Sequence, residues 1–252
     1  MSTLPLLKAH ELPTATTEHA WLVESLWAEQ AVGLIGGEPK CCKSFLALSL
    51  ALSVATGHPC LGRFPVRRTG PVLVYAAEDA LSAIRSRLTA LSQRYHMELN
   101  TLELYFITVH SLRLDRREDC IKLAHTVETL KPALVVLDPF VRLHRVDENV
   151  SQEIVPLLAI LRELQRRYGC AVALVHHAKK GASHLRAGQA LRGSSEFHAW
   201  SDSGLYLRRR GEWIVAFLPG IAQMIHLGHF PQERSDSLSS GFVVVQNDAF
   251  YR

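Results

Sequence analysis

The sequence predicts an α/β fold: a mostly parallel sheet flanked by helices, with antiparallel strands toward the C-terminus. Three observations predict it. Strand-like and helix-like segments alternate five times, the rhythm of a parallel sheet covered by helices. The strand-like segments are continuously apolar, as strands buried on both faces are. Polar residues (Glu78, Asp138, His176, His177) stand at their carboxyl ends, where such sheets place ligands.

Residues 1–30 read as a poorly packed lead-in with Pro5, Pro13 and a Thr-Ala-Thr-Thr run, of which Trp21-Leu22-Val23 is expected to dock on the core. Ala31 to Ile35 is the first strand, and Phe45 to Ala55 an Ala/Leu-rich helix buried against the sheet. Gly57-His58-Pro59 breaks the chain. Pro71 to Ala77 is the next strand, and Ala80 to Tyr95 an amphipathic helix. Leu104 to Val109 is a strand; Glu118 to Leu130 is a helix closed by Pro132. Ala133 to Leu137 is a strand stopped at Asp138-Pro139. Ser151 to Tyr168 is a long helix, opened by Ser151 and ended by Gly169, with Ile154, Leu157, Leu158, Leu161 and Leu164 at helical spacing. Ala171 to Val175 is a strand. From Gly204 the period changes, and Leu205 to Leu207, Trp213 to Phe217 and Phe242 to Val245 read as antiparallel strands at a sheet edge. The expected division is a lead-in at 1–30, one α/β domain at 31–218 and an extension at 219–252. There is no internal repeat and no low-complexity segment.

Bulk properties bound the function. A chain of 252 residues, 48% hydrophobic, can build one packed core. It has no apolar run of membrane-spanning length, and its N-terminus lacks the basic-then-apolar pattern of a signal peptide. Five scattered cysteines, out of metal spacing, read as reduced thiols of a cytoplasmic protein. The net charge of +4 is mildly basic and permits a nucleic-acid partner.

The segment Gly37-Glu38-Pro39-Lys40-Cys41-Cys42-Lys43-Ser44, followed by Phe45, matches the phosphate-cradling loop G-x-x-x-x-G-K-[ST] except that Cys42 replaces the second glycine. In such loops successive backbone N–H groups and the helix N-terminus form an anion-binding concavity. Lys43 reaches the β- and γ-phosphates, and the Ser44 hydroxyl holds Mg²⁺. A glycine at position 42 would keep side-chain atoms away from the phosphates. Cys41 and Cys42, beside a helix N-terminus and Lys43, are expected either to be acidified and oxidation-sensitive or to pack under the loop. Asp138 suits a Mg²⁺ ligand acting through water, and Glu78 a carboxylate that orients and deprotonates the attacking water. His176 or His177 could sense the γ-phosphate.

With these motifs the chain resembles the RecA-like ATPases, most closely the RepA-type hexameric replication helicases. The resemblance rests on the phosphate loop, Tyr75-Ala76-Ala77-Glu78-Asp79, Leu137-Asp138-Pro139 and the polar run Arg142 to Asn149. It also rests on Val175-His176-His177-Ala178-Lys179-Lys180 and Leu191-Arg192-Gly193-Ser194-Ser195. It implies an ATP- and Mg²⁺-dependent hydrolase with Glu78 as catalytic base, Lys43 on the phosphates, and Ser44 and Asp138 at the metal. His176 or His177 would couple γ-phosphate state to the next loop. An arginine in trans would be Arg192 or one of Arg208-Arg209-Arg210. It implies a homo-oligomeric ring, a hexamer, binding single-stranded DNA through loops near 141–152 and 178–192. Arg142, His144 and Arg145 in the first loop, and Lys179, Lys180, His184 and Arg186 in the second, would track phosphates, although neither loop offers an aromatic stacking partner. Two other readings stand beside the helicase: a RecA-like recombination or signalling ATPase without unwinding, and a nucleotide-binding regulatory module with little turnover.

Overall fold

The computed structural model of the chain describes residues 6–11, 20–177, 196–210, 213–217 and 224–229. Strands β1 (Trp21–Val23) and β2 (Trp27–Ala28) form an antiparallel hairpin. The remaining strands are β3 (Val32–Gly37), β4 (Val72–Ala76), β5 (Leu104–Phe106), β6 (Leu134–Asp138), β7 (Ala171–His177), β8 (Ser203–Arg210), β9 (Trp213–Phe217) and β10 (Met224–His229). They make one sheet in the order β10-β9-β8-β3-β7-β6-β4-β5. Helices α1 (Lys43–Thr56), α2 (Leu81–Arg94), α3 (Arg117–Leu130) and α4 (Ser151–Tyr168) are the crossovers, and α5 (Glu196–Trp200) is a short turn before β8.

The continuous apolar runs are strands because both their faces are covered. On one face Ile35, Val74, Val136 and Val175 pack with Leu46, Leu50 and Val54 of α1. On the other, Leu34, Leu73, Leu137 and Leu174 pack with Val127 of α3 and with Ile154, Leu158 and Leu161 of α4. Alternate residues of each strand therefore serve opposite layers, and this parity decides which end residues meet at a site. Helix α2 lies outside α1, with Ile84, Leu88 and Leu91 against Leu48 and Leu52. That second contact explains why α1 is apolar nearly all round.

Three expectations are corrected. Leu205–Leu207 is not an edge strand: β8 pairs parallel with β3 (Gly33↔Ser203 to Gly37↔Leu207) and antiparallel only with β9. The cause lies in β3, where a Cβ at Gly33 would stand 2.1 Å from the Ser203 carbonyl oxygen and one at Gly37 2.4 Å from that of Leu207. Strand β5 stops at Phe106, short of Val109, because its last pairing with β4 is at Val74 and the chain then departs after Ile107 donates to the Val74 carbonyl (2.8 Å). The lead-in is packed from Trp21 on. Leu22 and Val23 dock as expected, and Leu26 and Trp27 join them in the core, with the Trp27 indole beneath Gly33. Strand β10 was not anticipated, and Phe242 to Val245 lie outside the described residues. No helix among the described residues is long and apolar enough to cross a membrane.

Candidate active site

Strand β3 delivers the chain into the phosphate loop, and α1 begins at Lys43. Lys40 (φ 59°) and Cys42 (φ 62°) are both left-handed. The glycine that usually stands at position 42 is thus favoured by backbone conformation as well as by side-chain clearance. The Cys42 side chain packs against the core layer of Ile35 and α1, so its bulk is taken up within the fold. Cys41 is buried, its thiol donates to the Glu38 carbonyl (2.8 Å), and burial pushes it up to about 11 against the pull of Lys43. This overturns the expectation of an acidified thiol at Cys41: desolvation outweighs the neighbouring cation. Lys43 Nζ donates to the same carbonyl (2.7 Å) and lies 3.8 Å from the Cys41 sulfur. Phe45, expected among the nucleotide contacts, is buried and carries the Arg87 guanidinium over its ring at 5.2 Å.

Asp138 ends β6 on the α1 face, in register with Ala76 of β4. Only 8% exposed, it is raised to about 6 by burial. The charges of Asp79 and Glu78 add to that rise, while the Ser44 hydroxyl donating to it and Lys43 oppose it. A buried carboxylate, a hydroxyl bonded to it and two further carboxylates nearby form a hard-oxygen donor set. That chemistry fits Mg²⁺. Glu78 follows β4 and accepts a hydrogen bond from Arg142 Nε (2.7 Å). Asp79 is gripped by both terminal nitrogens of Arg87, the longer bond being 3.1 Å.

Strand parity separates the two histidines. His177 shares the α1 face of β7 with Ala173 and Val175 and pairs in register with Gly37. His176 faces the α4 layer, is 1% exposed, and stacks on Phe197 at 4.4 Å between ring centroids. Of the two histidines expected to sense a γ-phosphate, His177 shares the face of the sheet that carries the phosphate loop and α1, and His176 faces the opposite layer. His144, expected to track nucleic-acid phosphates, is also turned inward, 4.5 Å from the Phe140 ring. His144 Nε2 and His176 Nδ1 approach one oxygen of buried Glu148, at 3.6 and 4.0 Å. In the sequence Glu148 counted only as part of the polar run Arg142 to Asn149, although its spacing of four from His144 was visible. Sequence reasoning passed over Arg87 and the Phe140–Phe197 wall, which only packing reveals.

Arg142 and Arg145 are exposed as expected. Arg208 lies over the Tyr206 ring within its own chain (5.1 Å), and Arg209 and Arg210 continue β8 in register with β9. Lys179, Lys180, His184, Arg186 and Arg192 lie outside the described residues.

A family model described as an AAA domain matches residues 2–183, most of the chain. Among solved structures, the chain is similar to the RadB recombinase, with a TM-score of 0.57 and 17% identity over 79% of this chain and 88% of that one. It is similar also to a second solved structure, that of an ATPase domain, with a TM-score of 0.58 and 14% identity over 79% of this chain and 81% of that one. At these identities the two structures speak for the fold. With the phosphate loop, the Ser44–Asp138 pair and the sheet order already in place, the chain belongs to the AAA domain family, and its architecture is that of a RecA-like P-loop ATPase.

Proposed function

We propose that this chain hydrolyses ATP as a RepA-like ring motor, most simply a hexamer in the cytoplasm, that moves along or unwinds single-stranded DNA. One observation carries the reading. Lys43, the Ser44–Asp138 pair and Glu78 gather at the carboxyl ends of parallel strands, and Arg142, from the segment after β6, touches Glu78. ATP phosphates would take the loop N–H groups, and Lys43 Nζ would exchange the Glu38 carbonyl for phosphate oxygens. Ser44 and Asp138 would hold Mg²⁺, which when bound supplies charge neutralisation on the phosphates. Glu78 would orient the attacking water and take its proton at a carboxylate oxygen. His177 would read the γ-phosphate, and an arginine in trans, Arg192, would neutralise developing charge. The ATPase domain would span 31–218. Arg145, Lys179, Lys180 and Arg186 would contact the strand.

The test is ATP turnover by the purified chain with and without single-stranded DNA, alongside Glu78→Gln. Turnover that rises with DNA and vanishes in Glu78→Gln is expected. Turnover indifferent to DNA would move the reading to a recombination or signalling ATPase. Tight nucleotide binding without turnover would move it to a regulatory module.

A further inference from the structure

The two carboxylates that follow β4 point to different partners. Glu78 reaches to Arg142 in the segment after β6, and that pair is 43% and 62% exposed, open enough to move. Asp79 turns toward α1. Arg87 of α2 grips both of its carboxylate oxygens, the longer bond being 3.1 Å. The same guanidinium lies over the ring of buried Phe45, 5.2 Å from its centre. Here the exposures are only 28% for Asp79 and 26% for Arg87. A planar fork resting on an aromatic face, with both carboxylate oxygens engaged, fixes direction as well as distance. Asp79 is therefore the better held of the two carboxylates.

Two contacts bring this clamp against the cation-binding groups. Phe45 directly follows Ser44 in the first turn of α1. Ala77, two residues before Asp79, donates its N–H to the Asp138 carbonyl oxygen (2.7 Å), which ties the end of β4 to the end of β6. The Asp79 carboxylate thus stands on the side of Ser44 and Asp138. After burial, which raises Asp138 most, the charge of Asp79 bears on it more heavily than that of Glu78 does. The Arg87 fork occupies one lone pair on each Asp79 oxygen, and the others remain to accept from water. Mg²⁺ keeps several waters and is held by one or two carboxylates beside phosphates, so a carboxylate at one water's remove suits it. We propose that Asp79 is a further carboxylate of the Mg²⁺ site, acting through a water of the cation's hydration shell, and that Arg87 is the positioning residue that aims it. The inference rests on the ATPase reading above and deepens its metal site.

The experiment titrates Mn²⁺, a paramagnetic stand-in for Mg²⁺, into the full chain at saturating ADP, and measures ADP affinity in chelator alongside. The wild type is compared with Asp79→Asn, Arg87→Lys and the double variant. Asp79→Asn should hold Mn²⁺ about five- to tenfold more weakly, the loss expected of one unit charge near a divalent cation in a watery site. Its ADP affinity in chelator should be at least that of the wild type, since an anion near the phosphates has gone. Arg87→Lys keeps the charge and loses the fork, so it should weaken Mn²⁺ about two- to threefold in the wild-type background and not at all in Asp79→Asn. Unchanged Mn²⁺ affinity in Asp79→Asn overturns the inference. So does an equal loss of ADP affinity in chelator, which would make Asp79 a structural residue only. A loss from Arg87→Lys that is the same in both backgrounds, or absent from both, overturns Arg87 as the positioning residue. A wild-type ADP complex that holds Mn²⁺ no better than free ADP does overturns the ATPase reading of the site together with this inference.

Discussion

Replacing Asp138 with asparagine should stabilise the nucleotide-free protein while abolishing hydrolysis. Asp138 is buried and raised from 3.8 to about 6, so at neutral pH the folded chain holds an anion that its surroundings disfavour. The folded state binds the proton more tightly than the unfolded state does. Its stability is therefore greatest below the unfolded pKa and is lost as pH rises toward the folded one. A shift of about two units corresponds to about 3 kcal/mol at pH 8. The same two values leave only about 0.6 kcal/mol at pH 4. Asp138→Asn keeps the shape and can still accept from Ser44, so it removes the charge and little else. Urea unfolding of both proteins in chelator, at pH 8 and pH 4, measures the difference. A variant more stable by roughly 2–3 kcal/mol at pH 8, with most of that gone at pH 4, is expected. An increment equal at both pH values would refute the reasoning, because the gain would then owe nothing to ionisation. A destabilised variant at pH 8 would refute it as well. Adding Mg²⁺ at pH 8 should narrow the gap from the wild-type side, since a bound cation offsets the charge that asparagine lacks.

Cys41, pushed up to about 11 by burial, should react with a thiol reagent at pH 8 far more slowly than a free cysteine, and rapid labelling of Cys41 located by mass spectrometry would contradict this. Cys42→Gly should relieve a left-handed cysteine worth about 1–2 kcal/mol while losing its packing and adding about 0.5–1 kcal/mol of chain entropy. The net stability change should stay within about 1 kcal/mol by urea unfolding, and a larger loss would show that packing of the thiol dominates. His176→Ala should destabilise by roughly 2–4 kcal/mol through loss of its stack on Phe197. His177→Ala should lower turnover and shift the urea midpoint less than His176→Ala does, and the reverse pattern would show the faces of β7 to be misassigned.

The fold was legible wherever local pattern and burial agree. Helix α4 runs from Ser151 to Tyr168 as the spacing of its leucines predicts, and Gly169 ends it at φ 64°. The placing of the phosphate loop, Asp138 and Glu78 at strand ends was legible because each directly follows or ends a continuous apolar run. What was not legible depends on partners far away in sequence. Leu205–Leu207 before three arginines looks like an edge, and its true neighbour is disclosed only by the absence of a Cβ at Gly33 and Gly37. Choosing between His176 and His177 failed for a different reason. Strand β7 is buried on both faces, so Ala171 to Val175 carries no polar alternation from which a face could be read. His144 reads as a loop residue because its burial is made by Phe140 and Glu148, which close over it only once the segment after β6 folds back on β7.

The location of the site also follows from energetics, without any motif. Folded chains avoid burying ionisable groups, since each must be desolvated. Among the described residues the buried lysine, arginine, acidic and histidine side chains are Lys43, Arg113, Asp138, His144, Glu148 and His176. None lies in the body of the sheet or in the helix layers over its middle. Asp138 and His176 are strand-end residues, Lys43 follows the loop after β3, Arg113 follows β5, and His144 and Glu148 follow β6. The partners are incomplete as well: neither ring nitrogen of His144 has a hydrogen-bond partner among the described residues, and Asp138 is held against its ionisation. A chain selected for stability alone would replace such groups with apolar ones, which often stabilises. Their collection at one end of an otherwise apolar sheet marks that end as shaped by something other than stability. The raised Asp138 gives this its sharpest form, because the charge that destabilises the empty fold is the one a divalent cation would bind.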